Sequence, residues 1–395
     1  MTDSTPQLDL TELDEWVGKQ IIYAELWDPC NATDIRRWVQ AMDYPNPIHW
    51  DEQFANSSRF GGIVAPQSFT VAMDYGHGCH PACVGKIPGS HLIFGGEEWW
   101  YYGNRLRPGD KLFQERRFAG YSVSDTKFAG PTVFSKGDTT HRNQDGVLVA
   151  QERSTAIRYL VEEAKKRGMY DKEQRPPRRW TAEEIEQIHK QRMDWLLSNR
   201  EGVSPRFEDV NVGDRLPRRV IGPHSVVTFA LECRAHRQNI WGTWRWNAPE
   251  GVHDPAREDA GFDEKMTYDH EAGLIDPRRK DGLFYGPSSG HINSEKAENI
   301  GMGGAYGYGA SMNAWFSDYV AYWAGHQGFL WHTKSNFRQP AFEGDVTWCD
   351  GEVVAKSDLS PWGMPTVQIK VTLTNQDGNV LVTGLADVEL PHGDR

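Results

Sequence analysis

The sequence predicts an α+β protein in which one long antiparallel sheet wraps round one buried helix, and in which that unit is made twice. Three observations predict it: an internal repeat, runs in which apolar and polar residues alternate, and one strongly apolar helical segment in each half. Alternation with a period of two is typical of half-buried antiparallel strands, whereas apolar residues three and four apart are typical of helices. A chain of 395 residues is also long enough for two domains.

The repeat is clearest at two predicted hairpin turns. Residues 143–146 and 375–378 share the sequence Asn-Gln-Asp-Gly, and each segment precedes a short run of valine and leucine. Because an Asp-Gly pair supplies the positive φ that a tight turn requires, both segments are predicted to lead into a terminal strand. The alternating runs at 111–118 and 366–374 are predicted to be neighbouring strands of the same sheets.

A second match sets the domain boundaries. Identical internal spacings relate His49, Ala55 and Gly61-Gly62 to His291, Ala297 and Gly303-Gly304. Other matching landmarks show that the second half has gained a polar, aperiodic insertion near 240–289. We therefore predict an amino-terminal domain at residues 1–160, a basic linker with a helix at 161–200, and a carboxyl-terminal domain at 201–395.

The helices are predicted from their caps and their apolar spacing. Each half has a capped helix near its start, at about 31–42 and 225–237, and a more apolar helix after the glycine pair, at about 66–75 and 310–324. In the linker, Thr181 and Glu184 have the capping-box spacing, which predicts a helix at 181–198. The more apolar helix of each half is the one predicted to be buried in its sheet.

Composition and charge exclude several classes of protein. The net charge is −12, which repels polyanions, so nucleic acid is not an expected partner. The first residues are polar and no apolar run of about 18 residues occurs, so neither an export signal nor a membrane span is expected. Five cysteines suit a reducing compartment better than a disulfide framework, and the cytoplasm is the expected location.

Motifs for metals and cofactors are weak in this sequence. His77, Cys79, His80 and Cys83 could ligate zinc, but residues just beyond a predicted core helix more often serve in packing. The glycine-rich run at 301–309 lacks the spacing of a dinucleotide fingerprint, and no P-loop pattern occurs. We therefore predict neither a metal nor a cofactor.

The segment that says most about function runs from Ala41 to Pro66. Asp43 and His49 lie on either side of two prolines, Pro45 and Pro47, so they cannot share one continuing helix. A loop stiffened by prolines can point both side chains at one place, which is what a pair of catalytic groups requires. Taken alone, the pair is better explained as a capped turn with a histidine bonded to the backbone, because single aspartates and histidines are common in loops.

Additional positions favour the catalytic interpretation, because the segment resembles the signature of MaoC-like dehydratases and (R)-specific enoyl-CoA hydratases. That signature runs Gly-Asp-x-Asn-Pro-x-His-x5-Ala and continues into a glycine turn, and the matching residues are Asp43, Asn46, Pro47, His49, Ala55 and Gly61-Gly62. Through the repeat, the resemblance extends over nearly the whole chain, as in tandem proteins whose amino-terminal region is similar to the dehydratase of fungal fatty-acid synthases. It implies a double hot-dog fold, with each antiparallel sheet wrapped round a central helix.

The sequence departs from that signature at two places. Met42 replaces the glycine, and Tyr44-Pro45 puts two residues between Asp43 and Asn46 where the family has one. The extra residue is expected to displace Asp43 if the rest of the loop keeps its geometry. In that case Asp51 is the candidate substitute.

The resemblance implies a hydro-lyase that interconverts 2-enoyl and 3-hydroxyacyl thioesters, with an acyl-CoA or an acyl carrier as substrate. Adding water to such a double bond needs a base, an acid for the α-carbon and donors for the enolate oxygen. Asp43 and His49 are the implied catalytic residues, which would hold the water between them. The implied substrate-binding residues lie beside them and at the start of the central helix: Asn46, Gly62, Val64, Ala65 and Gln67.

Two alternative functions fit the same resemblance. A hot-dog thioesterase would hydrolyse the thioester and leave the double bond unchanged, and a non-catalytic subunit would bind the thioester without turnover. In the second half, residues 286–290 offer no acidic partner for His291, which is therefore predicted to be a structural remnant. Because hot-dog sheets pair edge to edge, a homodimer of tandem chains is one expected assembly.

Overall fold

The computed structural model describes residues 8–25, 29–73, 80–169, 175–235, 289–299 and 301–393. The predicted insertion lies outside these residues up to position 288, and so do the zinc candidates His77 and Cys79. Within the described ranges, the molecule is an α+β protein built round one large antiparallel sheet, as predicted.

Each half of the chain contributes five strands to this sheet. The first half contains β1 Gln20–Glu25, β2 Ser90–Tyr101, β3 Leu112–Thr126, β4 Gly130–Asn143 and β5 Leu148–Leu160. The second half contains β6 Arg219–Ile221, β7 Phe329–Phe337, β8 Thr347–Ser357, β9 Thr366–Asn375 and β10 Val380–Glu389. Their spatial order is β1-β3-β4-β5-β2-β7-β10-β9-β8-β6, so the second half repeats the order of the first in mirror sequence.

The two halves join where β2 pairs with β7. The pairs run antiparallel from Gly96 opposite Asn336 to Trp100 opposite His332. A Cβ atom on Gly96 would lie 2.4 Å from the Ser335 carbonyl oxygen, so this close approach requires glycine. The seam therefore makes the repeated units one continuous sheet.

Helices pack against the sheet, and the most apolar of them is buried in it. Those of the first half are α1 Thr11–Trp16, α2 Ala32–Ala41, α3 Glu52–Ser57 and α4 Val161–Lys166. The linker forms α5 Ala182–Ser198, and the second half contains α6 Val226–Ala235, α7 Ser294–Asn299 and α8 Gly309–Ala324. Short 3₁₀ segments lie at Pro47–His49, Gln67–Met73, His80–Ala82, Phe207–Asp209 and Ser289–His291.

Most of the predicted local structure is confirmed. At both hairpin turns the glycine amide donates to the asparagine carbonyl at 3.0 Å, and Gly146 and Gly378 have φ of 74° and 75°. The side chains of Thr181 and Glu184 form the predicted capping box at the start of α5. The apolar helix predicted at 310–324 is α8, which is buried in the sheet of the second half.

The structure corrects the prediction of a central α-helix in the first half. Residues 66–75 were expected to form the counterpart of α8, but Gln67–Met73 form a 3₁₀ segment of seven residues, all of them buried. The amide of Gln114 on β3 donates to the Met73 carbonyl at 2.6 Å, which fixes the end of this segment against the sheet. The first half therefore has no α-helix equivalent to α8 in its described part.

Candidate active site

His49 lies at the end of the 3₁₀ segment Pro47–His49 and is almost fully buried. The segment begins at Asn46, whose side-chain oxygen accepts from the Ile48 amide at 3.2 Å, and Pro47 fixes its first φ. The His49 Nδ1 atom lies 2.6 Å from the Val64 carbonyl oxygen. Because a carbonyl only accepts, Nδ1 carries the proton and Nε2 presents its lone pair. Nε2 has no hydrogen-bond partner among the described residues.

The surroundings of His49 keep its ring neutral. Burial is the main cause, and the positive charge of Arg105 adds to it, so the pKa of His49 is lowered to about 3. The hydrogen bond to Val64 opposes this shift only in part. An imidazole with this tautomer and this charge state is available as a base at neutral pH.

Asp43 points away from His49. It is the described non-glycine residue with positive φ, 51°, and its carboxylate pairs with Arg192 at 3.2 Å between Oδ2 and Nε. Its side chain is 41% exposed. No hydrogen bond joins Asp43 to His49 in the described structure, so the expected dyad is not formed in this arrangement.

A buried arginine explains the direction of Asp43. Arg219 on β6 donates through Nη2 to the carbonyl oxygens of Met42 and Asp43, at 2.7 and 2.9 Å. Its Nη1 donates to the Trp315 carbonyl of α8 at 3.1 Å. One guanidinium from the second half thus holds the backbone of this corner, while the Asp43 carboxylate pairs with Arg192.

The alternative acid, Asp51, has a structural role. Its carboxylate accepts from the Phe54 amide at 3.0 Å and caps α3. An N-cap of this kind satisfies an amide that the helix leaves unpaired. Asp51 is therefore engaged away from the His49 ring.

Tyr44 is the residue that faces His49. The two rings lie 5.4 Å apart between centroids, and Tyr44 is 1% exposed. Asn46 Nδ2 donates to the Tyr44 hydroxyl oxygen at 2.9 Å. Burial and the negative charge of Asp318 raise the pKa of Tyr44, so it remains a phenol at neutral pH.

Sequence reasoning missed Arg105, which borders the same site. Its guanidinium donates to the Ala65 carbonyl oxygen, and its Cζ atom lies 4.8 Å from the centroid of the Phe60 ring. Arg105 lies in the loop before β3, far from the signature residues, so no motif marks it. Its positive charge contributes to the lowered pKa of His49.

Asp318 was also missed, and it belongs to the second half. It lies on α8, is 1% exposed, and accepts from the Ser68 hydroxyl at 2.7 Å. Ser68 in turn accepts from the Trp38 indole at 3.0 Å. Burial raises the pKa of Asp318 to about 7, although Arg219 and Ser68 oppose the shift. The sequence signal that could have identified Asp318 is a single aspartate in an otherwise apolar predicted helix.

The predicted substrate-binding residues fall into two groups. Asn46 and Val64 hold Tyr44 and His49 in place, through the bonds given above. The Ala65 amide donates to the Leu106 carbonyl at 2.8 Å, so it is not free for a substrate oxygen. Gln67 uses its side chain to bond the Leu330 carbonyl at 2.9 Å, while its own amide opens the 3₁₀ segment. Gly62, with φ of 153°, lies in the turn between them.

The second half repeats the histidine contact but packs it differently. His291 Nδ1 lies 2.8 Å from the Tyr306 carbonyl, at the same sequence separation as His49 and Val64. The His291 ring stacks on Tyr308 with centroids 3.8 Å apart. This ring is packed between aromatic side chains, which agrees with the interpretation of His291 as a structural remnant.

Comparison with known proteins shows what this chain is similar to. Residues 15–152 match the family model described as the FAS1-like dehydratase domain region. A probable enoyl-CoA hydratase alpha subunit from Thermomonospora curvata is 26% identical over 178 residues, which cover 42% of this chain and 56% of that protein. The match thus spans little more than half the length of that relative.

Solved structures agree in fold over most of the chain. A MaoC-like dehydratase has a TM-score of 0.60 at 17% identity, with 96% of this chain and 100% of that one covered. A putative MaoC domain protein dehydratase from Chloroflexus aurantiacus has a TM-score of 0.55 at 11% identity, covering 96% of both chains. A conserved hypothetical protein from Mycobacterium tuberculosis with a double hot-dog fold has a TM-score of 0.54 at 10% identity, covering 96% of this chain and 98% of that one.

Residues 15–152 are thus similar to a dehydratase domain region, and over most of the chain the fold is that of MaoC-like double hot-dog proteins. The predicted resemblance and the predicted double hot-dog fold are therefore confirmed.

This MaoC-like protein also has a cavity next to the site, on the far side of Tyr322. The cavity has a volume of about 350 Å³ and lies between α5 and α8, with Trp195, Ser204, Tyr322 and Trp323 in its wall. Tyr322 separates it from Tyr44, since those two rings are 6.2 Å apart between centroids. His49 does not line this cavity.

Two searches over the described ranges concern other classes of site. No group of three or more histidine, cysteine, aspartate or glutamate side chains there could hold a metal ion. None of the helices in those ranges combines the length and the apolar character needed to cross a membrane.

Proposed function

We propose that this protein is a hydro-lyase that interconverts 2-enoyl and 3-hydroxyacyl thioesters, with His49 as its base. Acyl-CoA is the proposed form of the substrate, because the relative from Thermomonospora curvata is a probable enoyl-CoA hydratase alpha subunit. The observation that carries the proposal is the His49 ring, which is buried, neutral and fixed with Nε2 unpaired at the start of a dehydratase-like central segment.

The proposed hydration needs one base and one charge-stabilising group. Nε2 of His49 takes a proton from water while the water oxygen bonds to Cβ, and the electron pair of the double bond moves toward the thioester carbonyl. The imidazolium then gives its proton to Cα, which leaves a neutral 3-hydroxyacyl thioester. Dehydration follows the same path in reverse.

Charge compensation makes this compatible with the low basicity of His49. The enolate formed in the transition state is negative, and the imidazolium beside it is positive, so each stabilises the other in a buried site. The guanidinium of Arg105 and the backbone amide of Gln67 are the donors proposed for the enolate oxygen. Neither donor requires Asp43.

The direct test is loss of the enoyl-thioester absorbance with purified protein and a 2-enoyl-CoA. We expect His49→Gln to lower kcat by about 100-fold or more, in the range that loss of a general base produces. His189→Gln, on α5 outside the site, is the matched control and should keep full activity. Normal hydration by the His49→Gln protein would exclude His49 as the base.

The pH profile of the wild-type enzyme gives a second test. A base is lost when it is protonated, so kcat/KM falls as the pH drops below the pKa of the free base. Because the pKa of His49 is lowered to about 3, we expect no decline near pH 6.5, where an ordinary histidine would titrate. A decline centred between pH 6 and 7 that disappears in His49→Gln would contradict this assignment.

A non-catalytic acyl-thioester-binding subunit is the second candidate. The observation that favours it is the Asp43–Arg192 ion pair, which removes the carboxylate expected beside the histidine. This function predicts saturable binding of acyl-CoA with no change at the double bond. A thioesterase would instead release free CoA, which a thiol reagent detects in the same assay.

A further inference from the structure

The position that the signature gives to the acid is occupied by a tyrosine. The signature places its aspartate two residues before the Asn-Pro pair, and counting back from Asn46 reaches Tyr44, not Asp43. The structure agrees with this count, because the Tyr44 ring faces His49 while the Asp43 carboxylate pairs with Arg192. The extra residue therefore exchanges the acid for a phenol.

Tyr44 is held from several directions. Its amide donates to the Val39 carbonyl at 2.9 Å, at the end of α2. Its ring lies edge-on to Tyr322 of α8, and the guanidinium of Arg219 lies 6.0 Å from its centroid. A side chain with one long rigid ring and contacts on each side keeps its hydroxyl in one place.

The Tyr44 hydroxyl is available to donate a hydrogen bond. Its oxygen accepts from Asn46 Nδ2, and no described residue accepts from its O–H. A phenol can donate one hydrogen bond and accept others, so the direction set by Asn46 leaves the donor free. Because burial raises the pKa of Tyr44, the hydroxyl donates without ionising.

We propose that Tyr44 is the catalytic hydrogen-bond donor that holds the reacting water, in the place where the family signature has an aspartate. In hydration, the water oxygen accepts from the Tyr44 O–H and the water donates one proton to His49 Nε2. That proton moves to His49, the oxygen bonds to Cβ, and the proton is returned to Cα. In dehydration, the same O–H stabilises the departing hydroxyl, while His49 carries the proton from Cα to it. Tyr44 is neither oxidised nor ionised in either direction.

This role rests on the proposed hydro-lyase function and differs from the Asp–His arrangement in one respect. A single base performs both proton transfers, and the second residue orients the water. Removing only the Tyr44 hydroxyl should therefore lower kcat while the substrate still binds, because the Tyr44 ring and its packing are kept.

The experiment compares Tyr44→Phe with Asp43→Asn in the hydration assay on a 2-enoyl-CoA. We expect Tyr44→Phe to lower kcat by about 100-fold with KM changed less than threefold, as when one donor to a developing charge is removed. Asp43→Asn should change kcat less than threefold. Tyr121→Phe removes a tyrosine hydroxyl that bonds Asp14 on α1, away from the site, and serves as the matched control.

The outcomes separate this role from the proposed function. If the wild type is active, His49→Gln is inactive and Tyr44→Phe keeps normal kcat, the function stands and the Tyr44 role is overturned. If Asp43→Asn is the variant that loses activity, the acid has moved back to Asp43 and the role is again overturned. A wild-type protein that binds acyl-CoA without hydrating it overturns both. Thermal unfolding of Tyr44→Phe, together with acyl-CoA binding, distinguishes lost chemistry from lost folding.

Discussion

The two halves have the same strand order, but they differ in the buried side chains along the middle of the sheet. In each half, one row of residues crosses the middle of the sheet, set by the strand pairings. In the first half the row is Arg116, Thr139, Glu152 and Trp99. In the second half it is Gly351, Val371, Gly384 and Ser335. The first row contains two charged side chains and a tryptophan, whereas no side chain in the second row is larger than valine.

The size of these rows decides what can pack on them. Cβ atoms added at Gly384 and Gly351 would lie 2.8 Å from Phe316 and 3.1 Å from Tyr319, both on α8. Two glycines thus let a full α-helix approach the sheet closely. In the first half, the equivalent positions of β3 and β5 hold the buried residues Arg116 and Glu152, and the segment corresponding to α8, Gln67–Met73, is 3₁₀ rather than α-helical. Among the described residues, the half with the larger side chains in this row has the shorter central segment.

The largest effect is expected at the arginine that ties the halves together. Arg219→Met removes three hydrogen bonds to buried carbonyls, those of Met42, Asp43 and Trp315, and should lower the free energy of unfolding by about 3–5 kcal/mol. Its neighbour Arg218 forms a half-exposed ion pair with Asp350, so Arg218→Met should cost about 1 kcal/mol or less. Urea unfolding of both variants measures the difference, and equal midpoints would contradict the tie between the halves.

A smaller effect is expected where α8 meets the sheet. Gly384→Ala places a methyl group 2.2 Å from the Lys334 carbonyl and against Phe316, so we expect a loss of about 2–3 kcal/mol. Gly103→Ala is the matched control, because a Cβ there meets nothing within 4 Å. Thermal unfolding compares the two. A Gly384→Ala protein as stable as the wild type would show that close helix packing is not what distinguishes the second half.

The smallest effect should be the same in both halves, because it concerns a feature that they share. Asn31 caps α2 by accepting from the Asp34 amide at 2.9 Å, and Ser225 accepts from the Thr228 amide at 3.2 Å at the start of α6. Asn31→Ala and Ser225→Ala should each lower the free energy of unfolding by about 1 kcal/mol. Denaturant titration of the two single variants and the double variant checks this. A strongly unequal pair would contradict the equal contribution of the two caps.

The sequence predicted the features that local signals specify. Turn glycines, caps and alternating residues located the hairpins, α5 and α8, because each of these depends on residues close together in the chain. The 3₁₀ segment was predicted as a helix, since its own residues are apolar enough. The row that differs between the halves, with Arg116 and Glu152 in the first, lies on β3 and β5, far from that segment in the sequence.

The candidate site likewise contains features that local sequence signals predicted and features that they did not. His49 was found because its signature is local, and the fold that carries it was inferred from the repeat. The direction of Asp43 could not be read from the sequence, because Arg192 and Arg219 set it from the linker and from the second half. Arg105 and Asp318 were missed for the same reason: each reaches the site from a distant segment.

The seam between β2 and β7 has an evolutionary consequence. In a symmetric dimer of separate hot-dog subunits, every substitution occurs twice, so a change that helps one pocket also alters the other. Here one polypeptide carries both copies, so a mutation changes only one of them. The two halves can therefore diverge independently, and they differ beside the histidine: Tyr44 faces His49, whereas Tyr308 stacks on His291.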